Sequence, residues 1–281
     1  MKVELKNKIV LGLWLLVALS ILMLFIAAAQ KRKHSLCAGT QIEINGANQN
    51  YFVTQKEIED VINSTGLITE KYLKNIDLIA LEKKLQQNFW ISKTDLYFDN
   101  NNLLNINIEQ RQPIARLFNV YGGSCYLDKN GLRLSVKNGA TARVLVITNF
   151  PSNNNILSNA DSVLLASVTK LANYISIDTF WNAQIAQINI DNTGKFELIP
   201  TIGNHTIAFG DTTNTKEKFN KLYTFYAKAW LQNGVDAYET IDVKFNNQIV
   251  TTQKGTSRIT AIDSVNKFLV DSIGVAKRDS L

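Results

Sequence analysis

Leu78-Ile-Ala-Leu81-Glu-Lys-Lys-Leu85-Gln-Gln-Asn-Phe89-Trp90 runs directly into ISKTDLYFDNNNLLNINI, residues Ile91 to Ile108, with no linker between them. The repeat of the apolar residues changes at that join. Leu78, Leu81, Leu85 and Phe89 share one face of a helix whose other side carries Glu82, Lys83, Lys84 and Gln86. After Trp90 the period is two: Thr94, Leu96 and Phe98 alternate with Asp95 and Tyr97, and Leu104, Ile106 and Ile108 alternate with asparagines. Asp99 to Asn102 supplies the turn between them, so a hairpin follows the helix.

Upstream, Thr54-Gln-Lys-Glu57 is a capping-box pattern, in which the threonine hydroxyl and the glutamate carboxylate each accept from the other's backbone amide. It predicts a helix that buries Ile58, Val61 and Ile62 and ends at Gly66. Ile42 and Ile44 mark a short strand over Thr40–Ile44, closed by Asn45-Gly46. The order is strand, helix, helix, strand, strand.

Downstream, strands dominate. They are expected over Ala115–Val120, Ser124–Leu127, Leu132–Val136, Ala142–Ile147, Ile185–Ile190, Phe196–Ile199, His205–Phe209, Thr240–Phe245 and Gln248–Thr252, with turns at Asp128-Lys-Asn-Gly131 and Asp191-Asn-Thr-Gly194. Two helices interrupt them, one on Leu164, Val168, Leu171 and Ile175, the other on Phe219, Leu222, Tyr226 and Trp230 with its end at Asn233-Gly234. Beyond Gly255 only a weak helical spacing of Ile262, Val265, Leu269 and Ile273 is left, and residues 256–281 read as a tail.

Ile9 to Ala29 is uncharged throughout. A helix of that length covers roughly 31 Å, close to the hydrocarbon thickness of about 30 Å. A single membrane span over residues 9–29 is expected, after a tail of residues 1–8 and before a basic juxtamembrane linker, 30–36. The run exceeds the roughly 7 to 15 residues of a secretory signal core, and Lys31, Arg32, Lys33 and His34 follow it at once, which disfavours cleavage. Arg32 to Leu36 is no lipoprotein signal before Cys37. Lys2, Lys6 and Lys8 on one side balance Lys31, Arg32 and Lys33 on the other, so charge alone leaves the orientation open.

The formal net charge of +6 is modest and gathered beside the span, and no basic run interleaved with aromatics points to nucleic acid. Two histidines and two cysteines lie at no metal-ligand spacing. Cys37 and Cys125 admit a disulfide in an exported domain, and also two independent small apolar side chains, the reading we favour. A glycine-rich phosphate loop, a nucleophile elbow and a histidine base paired with a nucleophile are all missing from the sequence, so no catalytic residue, cofactor or small-molecule substrate is expected. Asp128 and Asp191 belong to turns.

Leu81-Glu82 to Trp90-Ile91, the hairpin leading to Ile108-Glu-Gln-Arg111-Gln-Pro113-Ile-Ala-Arg116, Tyr126-Leu-Asp-Lys-Asn-Gly131, Ala142-Arg-Val144 and Ile241-Asp-Val-Lys-Phe-Asn-Asn-Gln-Ile-Val250 together resemble the bacterial cell-division family FtsQ/DivIB, in a form similar to that of Bacteroidota. The chain departs from the commoner family pattern at Leu132-Arg-Leu-Ser135. The resemblance implies an α+β chain: one N-terminal transmembrane helix, a POTRA domain (β-α-α-β-β) over 37–112, and a larger mixed or antiparallel β-rich domain with flanking helices over 113–255. It also implies a single-pass protein of the cell inner membrane, amino terminus cytoplasmic and domains periplasmic, concentrated at the division septum. There it would act as a non-catalytic divisome scaffold for FtsB and FtsL partners. A POTRA-bearing chaperone or translocation component is the alternative, although no repeat of the unit is seen, and a membrane-anchored periplasmic enzyme is the third.

The family mode of binding would be strand addition to an open sheet edge. The candidate edge is Gln248, Ile249, Val250, Thr251, Thr252 and Gln253, with Ile241, Val243 and Phe245 beneath it; the plainer reading is a half-buried last strand. Arg111, Pro113 and Arg116 read first as a junction between domains, since proline cannot donate to a ladder. Arg111 and Arg116, with Gln55, Lys56 and Glu59 on the first helix, form a second and weaker candidate, a recruitment surface.

Overall fold

The computed structural model describes residues 12–24, 35–46, 52–66, 68, 71–230, 232, 234 and 236–255. Residues 12–24 are helical and exposed, Leu13, Trp14, Met23 and Leu24 among them. Among the described residues no helix is long and apolar enough to cross a membrane. Residues 9–11 and 25–29 of the expected span, the 1–8 tail, the Lys31-Arg32-Lys33-His34 cluster and the tail 256–281 lie outside those residues. The chain divides into two compact units, Met1–Arg111 and Gln112–Leu281.

In the first unit β1 (Gly39–Asn45) is followed by α1 (Gln55–Asn63), α2 (Leu78–Leu85), β2 (Ile91–Phe98) and β3 (Leu103–Gln110). The strand order is β1-β3-β2, with β1 parallel and β2 antiparallel to β3. Local chemistry sets most of this. Thr54 Oγ1 accepts from Glu57 N at 3.3 Å and Glu57 Oε2 accepts from Thr54 N at 3.4 Å, which closes the capping box. Asp99 Oδ1 accepts from the amides of Asn101 and Leu103, and Asn102 takes the left-handed conformation, so the hairpin turn is held by one carboxylate.

Two expectations in this unit need correction. Val61 is half-buried, and the α1 core face is Ile58 and Ile62. Phe89 is 64% exposed, whereas the neighbouring Trp90 is buried and stacks on Phe52 with ring centroids 3.8 Å apart. The reason is that α2 stops at Leu85 with Gln86 as its cap, and Asn88 Oδ1 then takes the Trp90 amide at 3.0 Å. The turn rotates the next aromatic inward. Gln110 at the end of β3 is buried, and its Oε1 accepts from both Phe52 N (2.7 Å) and Val53 N (3.0 Å). One side chain thereby satisfies two amides that no sheet or helix serves.

The second unit is built on a nine-stranded sheet in the order β12-β11-β10-β9-β8-β7-β4-β5-β6. Its strands are β4 (Pro113–Asn119), β5 (Ser124–Asp128), β6 (Arg133–Ser135), β7 (Leu145–Phe150), β8 (Ile185–Ile190), β9 (Phe196–Pro200), β10 (Thr206–Gly210), β11 (Tyr238–Asp242) and β12 (Val250–Gln253). The pairs β4/β7, β7/β8 and β10/β11 are parallel and the others antiparallel. A parallel pair needs a long crossover. Here α3 (Asn159–Ile177) and α4 (Thr179–Gln184) connect β7 to β8, and α5 (Thr215–Phe225) with a π-turn over Tyr226–Trp230 lies between β10 and β11. Pro113 opens β4, the strand position at which a missing amide is tolerated.

Val168, Leu171 and Ile175 of α3 and Phe219 and Leu222 of α5 share one buried cluster with Ile147, Ile188, Leu198, Ile207 and Ile241 of the sheet. Polar side chains bridge neighbouring strands: Thr148 Oγ1 donates to Asn189 Oδ1, Asn189 Nδ2 donates to Glu197 Oε2, and Gln187 Nε2 donates to Thr148 Oγ1. At the β5–β6 turn, Asp128 Oδ1 accepts from the amides of Asn130 and Leu132, and Asn173 of α3 donates to Lys129 O. Cys37 and Cys125 are both free thiols, and burial raises the pKa of Cys125.

Candidate partner-binding edge

Among the described strands β12 stands at one end of the large sheet, paired with β11 through Asp242↔Val250, Ile241↔Thr251 and Thr240↔Thr252. Val250, Thr251 and Thr252 are half-buried, Gln253 is exposed, and Lys254 N donates to Ala237 O at 3.1 Å. Among the described strands, only β6 forms the other end. It is three residues long, and its Arg133 donates to the carbonyls of Asn154 and Asn155.

The structure sets these elements differently from the expected Thr240–Phe245 and Gln248–Thr252. β11 covers Tyr238–Asp242 and β12 Val250–Gln253, so Val243 and Phe245 follow β11, and Gln248 and Ile249 precede β12. The cause is a turn at Asp242, whose Oδ1 accepts from Lys244 N at 2.9 Å and whose Oδ2 pairs with Lys244 Nζ at 3.1 Å. Ile241 and Val243 are fully buried and Ile249 packs on the core, whereas Phe245, in the connection between β11 and β12, is 47% exposed.

Lys221, on α5, is not among the candidate residues read from the sequence. Its Nζ donates to Val243 O at 3.0 Å and also to Phe245 O, which ties α5 to the connection between β11 and β12. Burial lowers its pKa. Lys218, one turn earlier, is buried, donates to Asp211 O at 2.8 Å and lies over the Phe209 ring. The hydroxyl and amide of Thr213, with Lys218, hold the Asp211 carboxyl far below the usual range.

His205 lies immediately before β10. It is buried, its Nε2 lies 2.8 Å from Tyr226 Oη, and Asn204, Asp236 and Lys254 surround its strand end through an Asn204–Asp236 hydrogen bond and a 3.7 Å Lys254–Asp236 pair. Burial, assisted by Lys254 and opposed by Asp236, pushes His205 down to about 4. The unfolded chain takes up this proton near pH 6.5 and the folded chain only near 4, so the stability carried by neutral His205 is whole above about pH 6.5 and lost as pH falls towards 4. The full loss is about 3 kcal/mol. His205→Gln should shrink the drop in urea stability between about pH 7.5 and about pH 4.5 by roughly 2 kcal/mol relative to the parent chain; an equal drop in both would show that other groups carry it.

The second candidate set is dispersed within its units. Gln55 and Lys56 are exposed at the start of α1, Glu59 is half-buried, and Gln55 Nε2 donates to Glu59 Oε1 at 2.8 Å. Arg111 donates from Nε to Phe89 O at 3.0 Å and from its backbone N to Trp90 O at 2.8 Å. Arg116 is half-buried, lies over the Phe118 and Tyr126 rings and donates to Ser124 Oγ. Among the described residues no group of three or more His, Cys, Asp or Glu is arranged to hold a metal.

Residues 112–252 match the family described as FtsQ/DivIB, C-terminal related, and residues 35–109 match the POTRA-like domain. The chain matches none of the curated proteins. The first match covers the nine-stranded sheet to within one residue of its last strand, and the second covers β1 to β3 up to Glu109. The chain belongs to the FtsQ/DivIB family and carries a POTRA-like domain ahead of its C-terminal related domain.

Proposed function

We propose that the chain is a non-catalytic divisome scaffold, held in the inner membrane by residues 9–29, whose periplasmic β12 edge receives a strand from an FtsB- or FtsL-type partner. FtsQ/DivIB-related and POTRA-like domains fit a divisome scaffold. The observation that carries the reading is the position of β12 at the end of the large sheet. An end strand offers backbone groups to an incoming segment. Phe245, exposed in the connection that leads into β12 and held there through its carbonyl by Lys221, adds an apolar anchor of the kind that dominates interface energetics. The exposed apolar side chains of helical residues 12–24 support the anchor. Tethering beside partners in the same bilayer raises their effective concentration, so a short edge suffices.

Depletion of the protein should give filamentous cells, and a fluorescent fusion should collect at midcell. Even peripheral labelling with normal division would exclude the reading. A translocation component would instead leave division intact and impair membrane-protein assembly.

A further inference from the structure

In the POTRA-like unit Cys37 and Leu73 are buried, whereas their chain neighbours Leu36 and Tyr72 stand 51% and 44% exposed. The two segments are paired. Leu73 N donates to Ser35 O and Cys37 N to Lys71 O, both at 3.0 Å, around an antiparallel bridge between Leu36 and Tyr72. Those bonds flank the bridge instead of joining its two residues, the arrangement in which facing side chains come closest, with Cα atoms about 4.5 Å apart. A short ribbon therefore turns Cys37 and Leu73 into the core and presents a leucine and a tyrosine side by side on its outer face.

The charges around this face are mainly positive. Lys74 is exposed, with its Nζ 5.6 Å from the centre of the Tyr72 ring, and Lys71 donates from Nζ to Thr65 O at 2.7 Å. Lys31-Arg32-Lys33-His34 stands directly before Ser35 in the sequence. Two carboxylates belong to the same surroundings: Asp77, three residues past Lys74, and Asp99, in the hairpin turn that Ala38 N reaches through Asn102 O at 3.0 Å. Each gives its Oδ1 to backbone amides, Asp77 to Ala80 and Asp99 to Asn101 and Leu103.

Chain length decides what this face can meet. From Ala29 to Leu36 the backbone reaches no further than about 25 Å, and the headgroup layer beyond the hydrocarbon takes up about 6 Å of that. Lys31, Arg32 and Lys33 are attracted to anionic headgroups, and Leu36, three residues past Lys33, then lies within about 11 Å of them. A tyrosine with an apolar body and a polar tip, a leucine beside it and lysines around both is the composition that settles at headgroup level. We propose that the Leu36–Tyr72 ribbon, with Lys74, docks the POTRA-like unit on the anionic phospholipid surface in which the chain is anchored, an inference that rests on the span proposed for residues 9–29. The bilayer gains this surface without a further partner, because the tether already holds the ribbon beside it.

The test places a nitroxide at Asn75→Cys in the full chain, with Cys37→Ala and Cys125→Ala as background, in lipid nanodiscs of phosphatidylcholine with or without roughly one third phosphatidylglycerol. Collisions of the label with a water-soluble nickel complex are read by power saturation, and insertion is read by co-elution with the discs in concentrated salt. In the anionic discs collisions should fall about fivefold, while a label at Lys93→Cys, at the opposite end of β2 from the Asp99 turn, stays accessible. Tyr72→Ser and Lys74→Glu should each restore collisions, the second by lowering the docked-to-free ratio about tenfold. Circular dichroism melting should match the parent in both, because both side chains are exposed. A label that stays accessible in anionic discs that retain the chain would overturn the docking and leave the span standing, whereas loss of the chain from the discs would overturn both. Equal shielding in phosphatidylcholine alone, unchanged shielding in Tyr72→Ser, or shielding only after a partner protein is added would overturn the docking too.

Discussion

Proline scanning across β12 should separate binding from folding by a single residue step. Successive residues of a strand alternate in which side their amide faces, and a proline is tolerated only where the missing N–H pointed away from the ladder. Of Thr251→Pro and Thr252→Pro, one therefore removes a bond to β11 and the other removes a donor on the outer side. The outward substitution should abolish co-purification of the FtsB- or FtsL-type partner, a loss of at least 100-fold on the order of two to three strand bonds with their desolvation, while circular dichroism and melting change little. The inward one should lower the melting temperature of the second unit. If the partner is retained by both variants, strand addition at β12 is wrong even if the chain is a divisome protein. Phe245→Ala offers an independent reading of the same surface: a partial loss of partner with an unaltered fold is expected, because the ring is half out of the protein and its carbonyl, not its side chain, meets Lys221.

What could be read from the residues was whatever a few neighbouring side chains decide. The Thr54/Glu57 capping box, the Asp99 turn and the Asp128 turn are closed within five residues, and each formed where its pattern stood. Ile185–Ile190 likewise matched its expected limits, since its strand period is uninterrupted. Longer-range decisions were invisible. Nothing in the alternation of Ile241, Val243 and Phe245 signals that Asp242 captures the Lys244 amide and ends the strand, and α4, six residues capped by Asp178, is too short to show a period. The parallel pairing of β10 with β11 and of β4 with β7 depends on crossovers that bring together segments far apart in the chain. The strand now proposed as the edge was legible from its β-branched residues, whereas the reach of Lys221 was not, because a lysine on a helix gives no sign of which carbonyls it will meet.

Trp90→Ala should unfold the POTRA-like unit and leave the large sheet standing. Trp90 is buried, lies parallel to Phe52 at 3.8 Å, and begins the chain's entry into β2, where its carbonyl also receives the Arg111 amide. Truncating a buried tryptophan costs about 3–5 kcal/mol through lost transfer energy and the cavity left behind. That is comparable with the whole stability of a small domain, about 5 kcal/mol at the lower end of the usual range. The neighbouring contacts make relaxation difficult: Phe52 is fixed through its backbone by Gln110, so it cannot follow the missing ring inward without releasing a buried hydrogen bond. Hydrogen exchange of the full chain should therefore show early loss of protection across β1, β2 and β3, with the strands from β4 onward still protected. Phe89→Ala, one residue away, is the control, since that ring is exposed and its removal should cost less than about 0.5 kcal/mol. Equal loss from both variants would mean that the stacked pair does not hold this unit together, and uniform loss across the whole chain would mean that the two units do not unfold separately.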